Sequence, residues 1–214
     1  MKILCVADEV DPLVYSPLIK DRFGDVELVL GAGDLPLEYL GFISSMLNCP
    51  LLYIEGNHDG GGAPAQTSWP RFSAPSEGGA RNIGFRITRE AGLTILGLPG
   101  SLVYNGGPNQ YSERSMALRI LALAPRLLLE RLLHGRSVDI VLTHASPLGI
   151  QDREDPCHRG FKAYRRLIKR WKPRWFIHGH VHLYDLADLR SSVVDGTTVV
   201  NAFGHWVVDT EAAT

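Results

Sequence analysis

Short apolar runs alternate with amphipathic segments through the first quarter of the chain. Residues 2–7, 26–30 and 51–54 are continuous apolar runs with the length of buried strands. Between them, residues 17–23 and 35–47 carry apolar side chains at helical spacing. This alternation of strands and helices, joined by tight glycine turns, predicts a parallel sheet built through right-handed crossovers.

The rest of the chain contains longer elements of both kinds. Residues 112–133 have the leucine spacing of a helix, which Pro125 is expected to split or kink and Gly135 to end. Residues 161–171 form an amphipathic helix with one basic face. The predicted strands in this part are 83–88 and 93–98, which form a hairpin, then 138–142, 175–177, 197–203 and 206–209. No repeat or linker interrupts the pattern, which favours a single α/β domain over residues 1–214.

Composition and charge narrow the class of protein. Of the 214 residues, 45% are hydrophobic and 21% are charged, so the chain can bury a sizeable core. The net charge of -1 gives no general attraction to nucleic acid or to an anionic membrane. The three cysteines lack metal-binding spacing, and we expect neither a signal peptide nor a membrane-spanning segment. The expected location is therefore the cytoplasm, with the cysteines reduced, and the oligomeric state stays open.

Polar side chains follow five of the apolar runs, at the point where each run ends. The residues concerned are Asp8, Asp34, Asn57, His58, His144, His180 and His182. The carboxyl ends of parallel strands meet at one edge of a sheet, where α/β folds bind their ligands. Carboxylate, amide and imidazole groups together suit divalent transition metals, and a shared carboxylate commonly holds two of them. Any one of these residues is most simply a hydrogen-bonded polar residue, but their joint placement predicts a metal site.

Four sequence elements, in this order, resemble those of the calcineurin-like metallophosphoesterases. They are Gly33-Asp34, Gly56-Asn57-His58-Asp59, Thr143-His144 and Gly179-His180-Val181-His182. The resemblance runs from Lys2 to about Asp209; its second and fourth elements are specific, whereas Gly-Asp alone is weak. It implies a four-layer α/β/β/α metallophosphoesterase sandwich, with two metal ions at the C-terminal edges of the strands.

The same resemblance implies a role for each of these residues. The implied metal ligands are, in the first site, Asp8, Asp34 and His182 and, in the second site, Asp34, Asn57, His144 and His180. His58 would contact the phosphoryl group and help to stabilise or protonate the leaving oxygen. Asp59 would orient His58, unless it serves only as a turn cap. Two divalent ions would hold a bridging hydroxide that attacks phosphorus, with Mn²⁺ the expected metal and Fe, Zn, Ni and Mg the alternatives.

The chain departs from the family pattern at the first motif. The usual Asp-x-His supplies a histidine to the first metal, whereas this chain has Asp8-Glu9-Val10. Residues two apart on a strand share a face, so Val10 takes the place of the ligand and Glu9 faces away unless the chain has already turned. Asp11 is the nearest residue able to reach in from the loop. We therefore expect a first site that is weak and responsive to added Mn²⁺.

Substrate selection is expected to come from two polar loops, residues 60–79 and 101–110. Long loops beside a site often carry function, although each side chain on them is at least as often an idle surface residue. The candidates for substrate binding are Arg71, Tyr104 and Asn105, with Gln66 and Trp69 as further loop residues.

Three functions remain open from the sequence. The first is a metal-dependent hydrolase of a small phosphomonoester or phosphodiester, nucleotides included, with that phosphoester as its partner. The second is a binding or regulatory module that keeps the fold and one metal but has lost turnover through Val10. The third is a nuclease, suggested by eight Lys or Arg and no acid between His158 and Arg174. The near-neutral net charge argues against nucleic acid, and a solvated helix face explains the basic stretch more simply.

Overall fold

The structure is a computed structural model that describes residues 1–59, 79–185 and 187–211. The helices in these ranges are α1 (Ile19–Phe23), α2 (Leu37–Leu47), α3 (Glu113–His134) and α4 (Lys162–Trp171). The strands are β1 (Lys2–Ala7), β2 (Val26–Gly31), β3 (Leu51–Tyr53), β4 (Ala80–Asn82), β5 (Ile87–Glu90), β6 (Leu93–Leu98), β7 (Ser101–Leu102), β8 (Gln110–Tyr111), β9 (Ile140–Thr143), β10 (Trp175–His178), β11 (Ser191–Val194), β12 (Thr197–Asn201) and β13 (Gly204–Asp209). None of the helices in the described ranges has the length and apolar character needed to cross a membrane.

Most strands belong to two mixed sheets. The first sheet has the order β13-β1-β2-β3-β4, with β1 to β4 parallel and β13 antiparallel to β1. The second has the order β11-β12-β10-β9-β6-β5, in which the four central strands are parallel and both edge strands are antiparallel to their neighbours. A short separate pair is formed by β7 and β8. The parallel pairing of β1, β2 and β3 confirms the sequence prediction and brings their carboxyl ends to one edge.

The apolar residues form three layers because side chains alternate along each strand. In β1, Ile3, Cys5 and Ala7 face the second sheet, whereas Leu4 and Val6 pack toward α1 and α2. The second sheet also has two buried faces, one in the layer between the sheets and one against α3 and α4. The order is therefore helices, sheet, sheet, helices, which confirms the predicted α/β/β/α sandwich.

The predicted hairpin over residues 83–88 and 93–98 is only partly correct. Its second strand, β6, has the predicted bounds, but β5 begins at Ile87. The chain turns at Phe85, whose φ is +53°, and this turn separates β5 from the residues before it. Residues 80–82, before this turn and outside the predicted hairpin, form β4, which pairs with β3 in the other sheet. The segment therefore links the two sheets rather than extending one hairpin.

Helix α3 runs without interruption through Pro125, so of the predicted split or kink the split does not occur. Proline removes one backbone hydrogen bond, to the carbonyl of the residue four positions earlier, Leu121. Leu121 is exposed, so water can solvate that carbonyl. As predicted, Gly135 ends the helix, with a φ of +76°. Ser112 caps its start by accepting a hydrogen bond of 3.1 Å from the Ser115 N–H.

The C-terminal strands connect the two sheets. Residues 195 and 196 form the turn between β11 and β12, which lie in the second sheet. The following strand, β13, crosses to the first sheet and pairs with β1 from Lys2↔Asp209 to Ala7↔Gly204. The sequence predicted the runs that contain β12 and β13, but it predicted neither β11 nor the placement of β12 and β13 in different sheets.

Candidate metal centre

The polar residues predicted from the strand ends do lie at strand ends, and the backbone turns sharply at three of them. Asp8, Asp34 and His180 have φ angles of +68°, +55° and +66°, in the left-handed region that non-glycine residues seldom adopt. Such a conformation costs about 1–3 kcal/mol, and clusters of residues in it are common at active sites and ligand-binding sites. At these three turns, side chains from both sheets are directed toward the carboxyl ends of the parallel strands.

Glycines of two motifs make room for the carboxylates. A Cβ added at Gly179 would lie 2.6 Å from Asp8 Oδ2, and a Cβ at Gly56 would overlap the Asp34 carboxylate. Glycine is needed at both positions because a side chain there would occupy the space of a carboxylate, that of Asp34 from the neighbouring strand end and that of Asp8 from the other sheet. This close approach explains physically why Gly-Asn-His-Asp and Gly-His-Val-His begin with glycine.

His144 is the centre of the arrangement. Its side chain is fully buried, and its Nδ1 is 2.8 Å from the Ala32 carbonyl oxygen, so Nδ1 carries a proton. Its Nε2 faces two oxygens, Asp34 Oδ2 at 3.2 Å and Asn57 Oδ1 at 3.0 Å. A ring nitrogen between a carboxylate and an amide oxygen requires positive charge, supplied either by a second proton or by a cation that all three atoms share.

The protonation of this pair follows from the same contacts. Burial alone would lower the pKa of His144, but the carboxylates of Asp34 and Asp8 raise it to about 9. Burial alone would raise the pKa of Asp34, but the His144 imidazolium lowers it to about 2. In the metal-free protein the two therefore form an ion pair, and a divalent cation would replace the proton on His144 Nε2.

His180 offers a second nitrogen to the same position. Its Nε2 is 2.6 Å from the Cys157 carbonyl oxygen, which makes Nε2 the donor and leaves the Nδ1 lone pair free. Burial, followed by the nearby charge of His144, lowers the pKa of His180 to about 3, so the ring is neutral. Ligand atoms of Asp34, His144 and His180 all lie within 4.8 Å of one another. With Asn57 Oδ1 they form a mixed oxygen and nitrogen set that fits a divalent transition metal.

The residues assigned to the first site have other partners. Both oxygens of Asp8 are 2.9 Å from the backbone N–H of His180, and burial raises the pKa of Asp8 to about 7. His182 Nδ1 is 2.7 Å from the Tyr184 hydroxyl, and its ring stacks on Phe203 at 4.8 Å between centroids. Among the residues that the structure describes, neither Asp8 nor His182 joins the compact ligand group of Asp34, His144 and His180.

The expectation that Val10 shares a strand face with Asp8 is wrong. The strand ends at Ala7, and the Glu9 N–H donates to the Ala7 carbonyl oxygen at 2.8 Å, so the chain has already turned. Val10 packs against the apolar layer between α1, α2 and the first sheet. Asp11 does not replace the missing ligand, because its Oδ2 is 2.5 Å from His205 Nδ1.

The two residues assigned to catalysis differ in their surroundings. His58 is exposed, and its backbone N–H donates to Asp34 Oδ1 at 2.8 Å. Asp59 Oδ2 accepts hydrogen bonds from the backbone N–H groups of Asp34 at 2.8 Å and Gly56 at 2.7 Å. These contacts favour a turn-holding role for Asp59, and its proposed orientation of His58 stays a prediction.

Of the predicted substrate-binding residues that the structure describes, Tyr104 contacts a candidate ligand. Its hydroxyl accepts a hydrogen bond of 3.2 Å from Asn57 Nδ2. Asn105 instead holds its own loop together, with its Oδ1 accepting from the Gly107 N–H at 3.1 Å and Gln110 Nε2 at 2.6 Å. The remaining loop candidates, Gln66, Trp69 and Arg71, lie outside the described residues.

Sequence reasoning missed Asn109, which holds the Gly-Asn-His-Asp turn from outside. Its Nδ2 donates to the carbonyl oxygens of Gly56 at 3.1 Å and Asp59 at 3.0 Å, and lies 3.4 Å from Glu55 Oε2. Its φ of +48° is one that asparagine tolerates better than most residues. The signal was present in the Gly-Gly-Pro-Asn sequence of a loop already expected to be functional.

Replacing Asn109 with alanine should loosen that turn. Two carbonyl oxygens lose their donor, so we expect the free energy of unfolding to fall by about 1–3 kcal/mol. Activity should fall while the bound metal is retained, because Asn109 is not a candidate ligand. Thermal unfolding, turnover and metal analysis of the same samples test this. An unchanged unfolding temperature, or loss of metal in parallel with activity, would argue against the anchoring role.

Comparison with known proteins places this fold and its candidate centre in a family. The model of the calcineurin-like phosphoesterases matches residues 18–184, and the chain therefore belongs to the calcineurin-like phosphoesterase family. Membership implies divalent metal ions and supports metal-dependent phosphoester hydrolysis as the general activity. No curated protein matches the chain.

Solved structures show similarity to the whole fold. The protein TT1561 of Thermus thermophilus has a TM-score of 0.61 at 15% identity, over 95% of this chain and 89% of that one. Vps29 from Entamoeba histolytica, solved in complex with Zn²⁺, has a TM-score of 0.42 at 14% identity, over 95% of this chain and 74% of that one. At 15% identity the likeness to TT1561 concerns the fold alone.

Proposed function

We propose that the protein hydrolyses small phosphomonoesters or phosphodiesters, nucleotides included, with divalent cations bound at the strand ends. The observation that carries this proposal is the convergence on His144 Nε2 of Asp34 Oδ2, at 3.2 Å, and Asn57 Oδ1, at 3.0 Å. One nitrogen and two oxygens directed at one point form a ligand set for a cation.

The proposed ligands follow the two sites of the family. The tighter site takes Asp34, Asn57, His144 and His180, and the weaker takes Asp8, Asp34 and His182. Mn²⁺ is the proposed metal, with Fe, Zn, Ni and Mg as alternatives, because the weaker site is poor in nitrogen and suits an ion that accepts oxygen ligands. When bound, the ions supply a nucleophile from water and neutralise charge on the phosphoryl oxygens.

The chain itself supplies positioning and proton transfer. The His58 side chain is exposed beside Asp34, whose Oδ1 holds the His58 backbone N–H, so a phosphoester at the cations can reach the imidazole. His58 is proposed to donate a proton to the leaving oxygen. The Tyr104 hydroxyl, next to Asn57, is proposed to contact the substrate. The proposed partner is a small phosphoester in the cytoplasm rather than nucleic acid or a membrane.

A second candidate function is a metal-binding or regulatory module with weak or no turnover. It is favoured by the first site, where Val10 lies in an apolar layer, Asp8 is held by the His180 N–H and His182 by the Tyr184 hydroxyl. A protein with only the tighter site filled would lack the second cation that a two-metal mechanism needs.

Metal removal and replacement distinguish the two functions. Protein treated with a chelator should hydrolyse aryl phosphate monoesters, aryl phosphate diesters or nucleotides only after Mn²⁺ is added. Rates are measured against Mn²⁺ concentration, with bound metal determined in the same samples. Tight binding of an ion without hydrolysis of any substrate in this panel would support the binding module and exclude the proposed activity.

A further inference from the structure

A second group of ligand atoms lies on the loop between β9 and α4. Cys157 Sγ is 2.7 Å from Asp155 Oδ1 and 3.3 Å from His158 Nδ1, and His158 Nδ1 is 2.9 Å from Asp155 Oδ1. The three ligand atoms lie within 4.8 Å of one another. We propose that Asp155, Cys157 and His158 bind a zinc-like divalent cation at a site separate from the centre at the strand ends.

The spacing of these atoms is close to that of a tetrahedral site. Zinc lies about 2.3 Å from thiolate sulfur and about 2.0 Å from nitrogen or oxygen, which places neighbouring ligand atoms roughly 3.3–3.5 Å apart. The observed separations of 2.7 to 3.3 Å therefore need to widen by less than about 1 Å. The side chains of His158 and Asp155 are 33% and 43% exposed, so they are free to adjust and water can provide a fourth ligand.

The charges also suit a divalent ion. The carboxylate of Asp155 and the thiolate of Cys157 together neutralise two positive charges, and binding releases the thiol proton. Within the described part of the chain, the hydrogen bonds to the Asp155 carboxylate come only from Cys157 and His158, so no lysine or arginine competes for it. The His158 backbone N–H, 3.1 Å from Asp155 Oδ1, keeps that carboxylate beside the other two ligand atoms.

The loop is fixed next to the strand-end centre but differs from it in chemistry. The Cys157 carbonyl oxygen accepts from His180 Nε2 at 2.6 Å, and the rings of His158 and His180 lie 5.2 Å apart between centroids. Only this second group contains sulfur, a soft ligand that favours Zn²⁺, Co²⁺ or Cd²⁺ over Mn²⁺. An ion bound here would immobilise the loop whose carbonyl sets the tautomer of His180.

Cobalt provides a selective probe because sulfur ligation gives a thiolate-to-cobalt charge-transfer band that oxygen and nitrogen ligands do not produce. Metal-free protein titrated with Co²⁺ should develop this band. Cys157→Ser should lose the band, together with one bound ion. His158→Ala and Asp155→Ala should need about tenfold or more Co²⁺ to reach half of the full band intensity. The matched control is Cys49→Ser, which removes a partly buried thiol just after α2 and should keep the band.

The His144→Ala variant separates this site from the strand-end centre. None of the three proposed ligands forms a described hydrogen bond or ion pair with His144, so the band should remain when the strand-end centre is impaired. Absence of the band in the unmodified protein, or its survival in Cys157→Ser, would overturn the proposal. Loss of the band in His144→Ala would also overturn the proposal, because it would show that Cys157 ligates an ion of the strand-end centre.

Discussion

Replacing His144 with alanine is expected to remove most of the bound metal and all measurable phosphoesterase activity. The imidazole is the point on which Asp34 Oδ2 and Asn57 Oδ1 converge, so its loss leaves a carboxylate and an amide without the nitrogen that completes the set. Oxygen ligands alone bind late transition metals more weakly than a set that includes imidazole. His180 would then be the one nitrogen ligand left in the compact group found among the described residues.

Metal analysis and thermal unfolding provide two independent measurements of this loss. An ion present at 100 times its dissociation constant stabilises the protein it binds by about 2.7 kcal/mol. The unmodified protein should gain this stability when Mn²⁺ is added to metal-free samples, and His144→Ala should gain much less. Circular dichroism of the metal-free proteins tests whether the variant still folds, since His144 is fully buried.

His134→Ala is the matched control for this experiment. His134 lies at the end of α3, on the surface, and its Nε2 is 3.5 Å from Glu130 Oε2. Its replacement should change neither the bound metal nor activity. A His144→Ala protein that, loaded with Mn²⁺ alone, retains two bound Mn²⁺ ions would show that the assigned ligands are wrong, because the sulfur-containing group at Cys157 favours other metals over Mn²⁺.

The sequence predicted the parallel strands and the position of the candidate centre for the same physical reason. Buried strands of a parallel sheet are continuous apolar runs, so the polar residue that ends each run marks the carboxyl edge of the sheet. This rule located Asp8, Asp34, Asn57, His144 and His180 without any knowledge of how the chain folds. The two-sheet arrangement itself came from the resemblance, because no local pattern says which strands pair.

Features that depend on the path of the chain beyond a strand end were not predictable in this way. Extrapolating β1 by the period of two placed Val10 beside Asp8, but the backbone reverses direction at Asp8, with φ +68°. The contacts of Asn109 with Gly56 and Asp59 join segments about 50 residues apart, so they appear only in the folded chain. The same is true of the Cys157 carbonyl that fixes the tautomer of His180.

Replacing His58 with alanine is expected to lower kcat by roughly 10²–10⁴-fold, the range typical of a positioned acid or base. The side chain is exposed at the edge of the centre, and the contact with Asp34 Oδ1 is made by the backbone N–H, which alanine retains. Metal content should therefore hardly change. The effect should also be smaller for a substrate with a good leaving group, because such a leaving group needs less help from a proton donor.

Asp59→Ala separates proton transfer by His58 from the integrity of its turn. Asp59 Oδ2 accepts from the backbone N–H groups of Asp34 and Gly56, so its removal should lower the free energy of unfolding by about 1–3 kcal/mol. His58→Ala breaks no such bond and should unfold near the temperature of the unmodified protein. If His58→Ala loses metal in parallel with activity, His58 is a ligand and not a proton donor. If kcat falls equally for good and poor leaving groups, its role is to bind the phosphoryl group rather than to protonate the leaving oxygen.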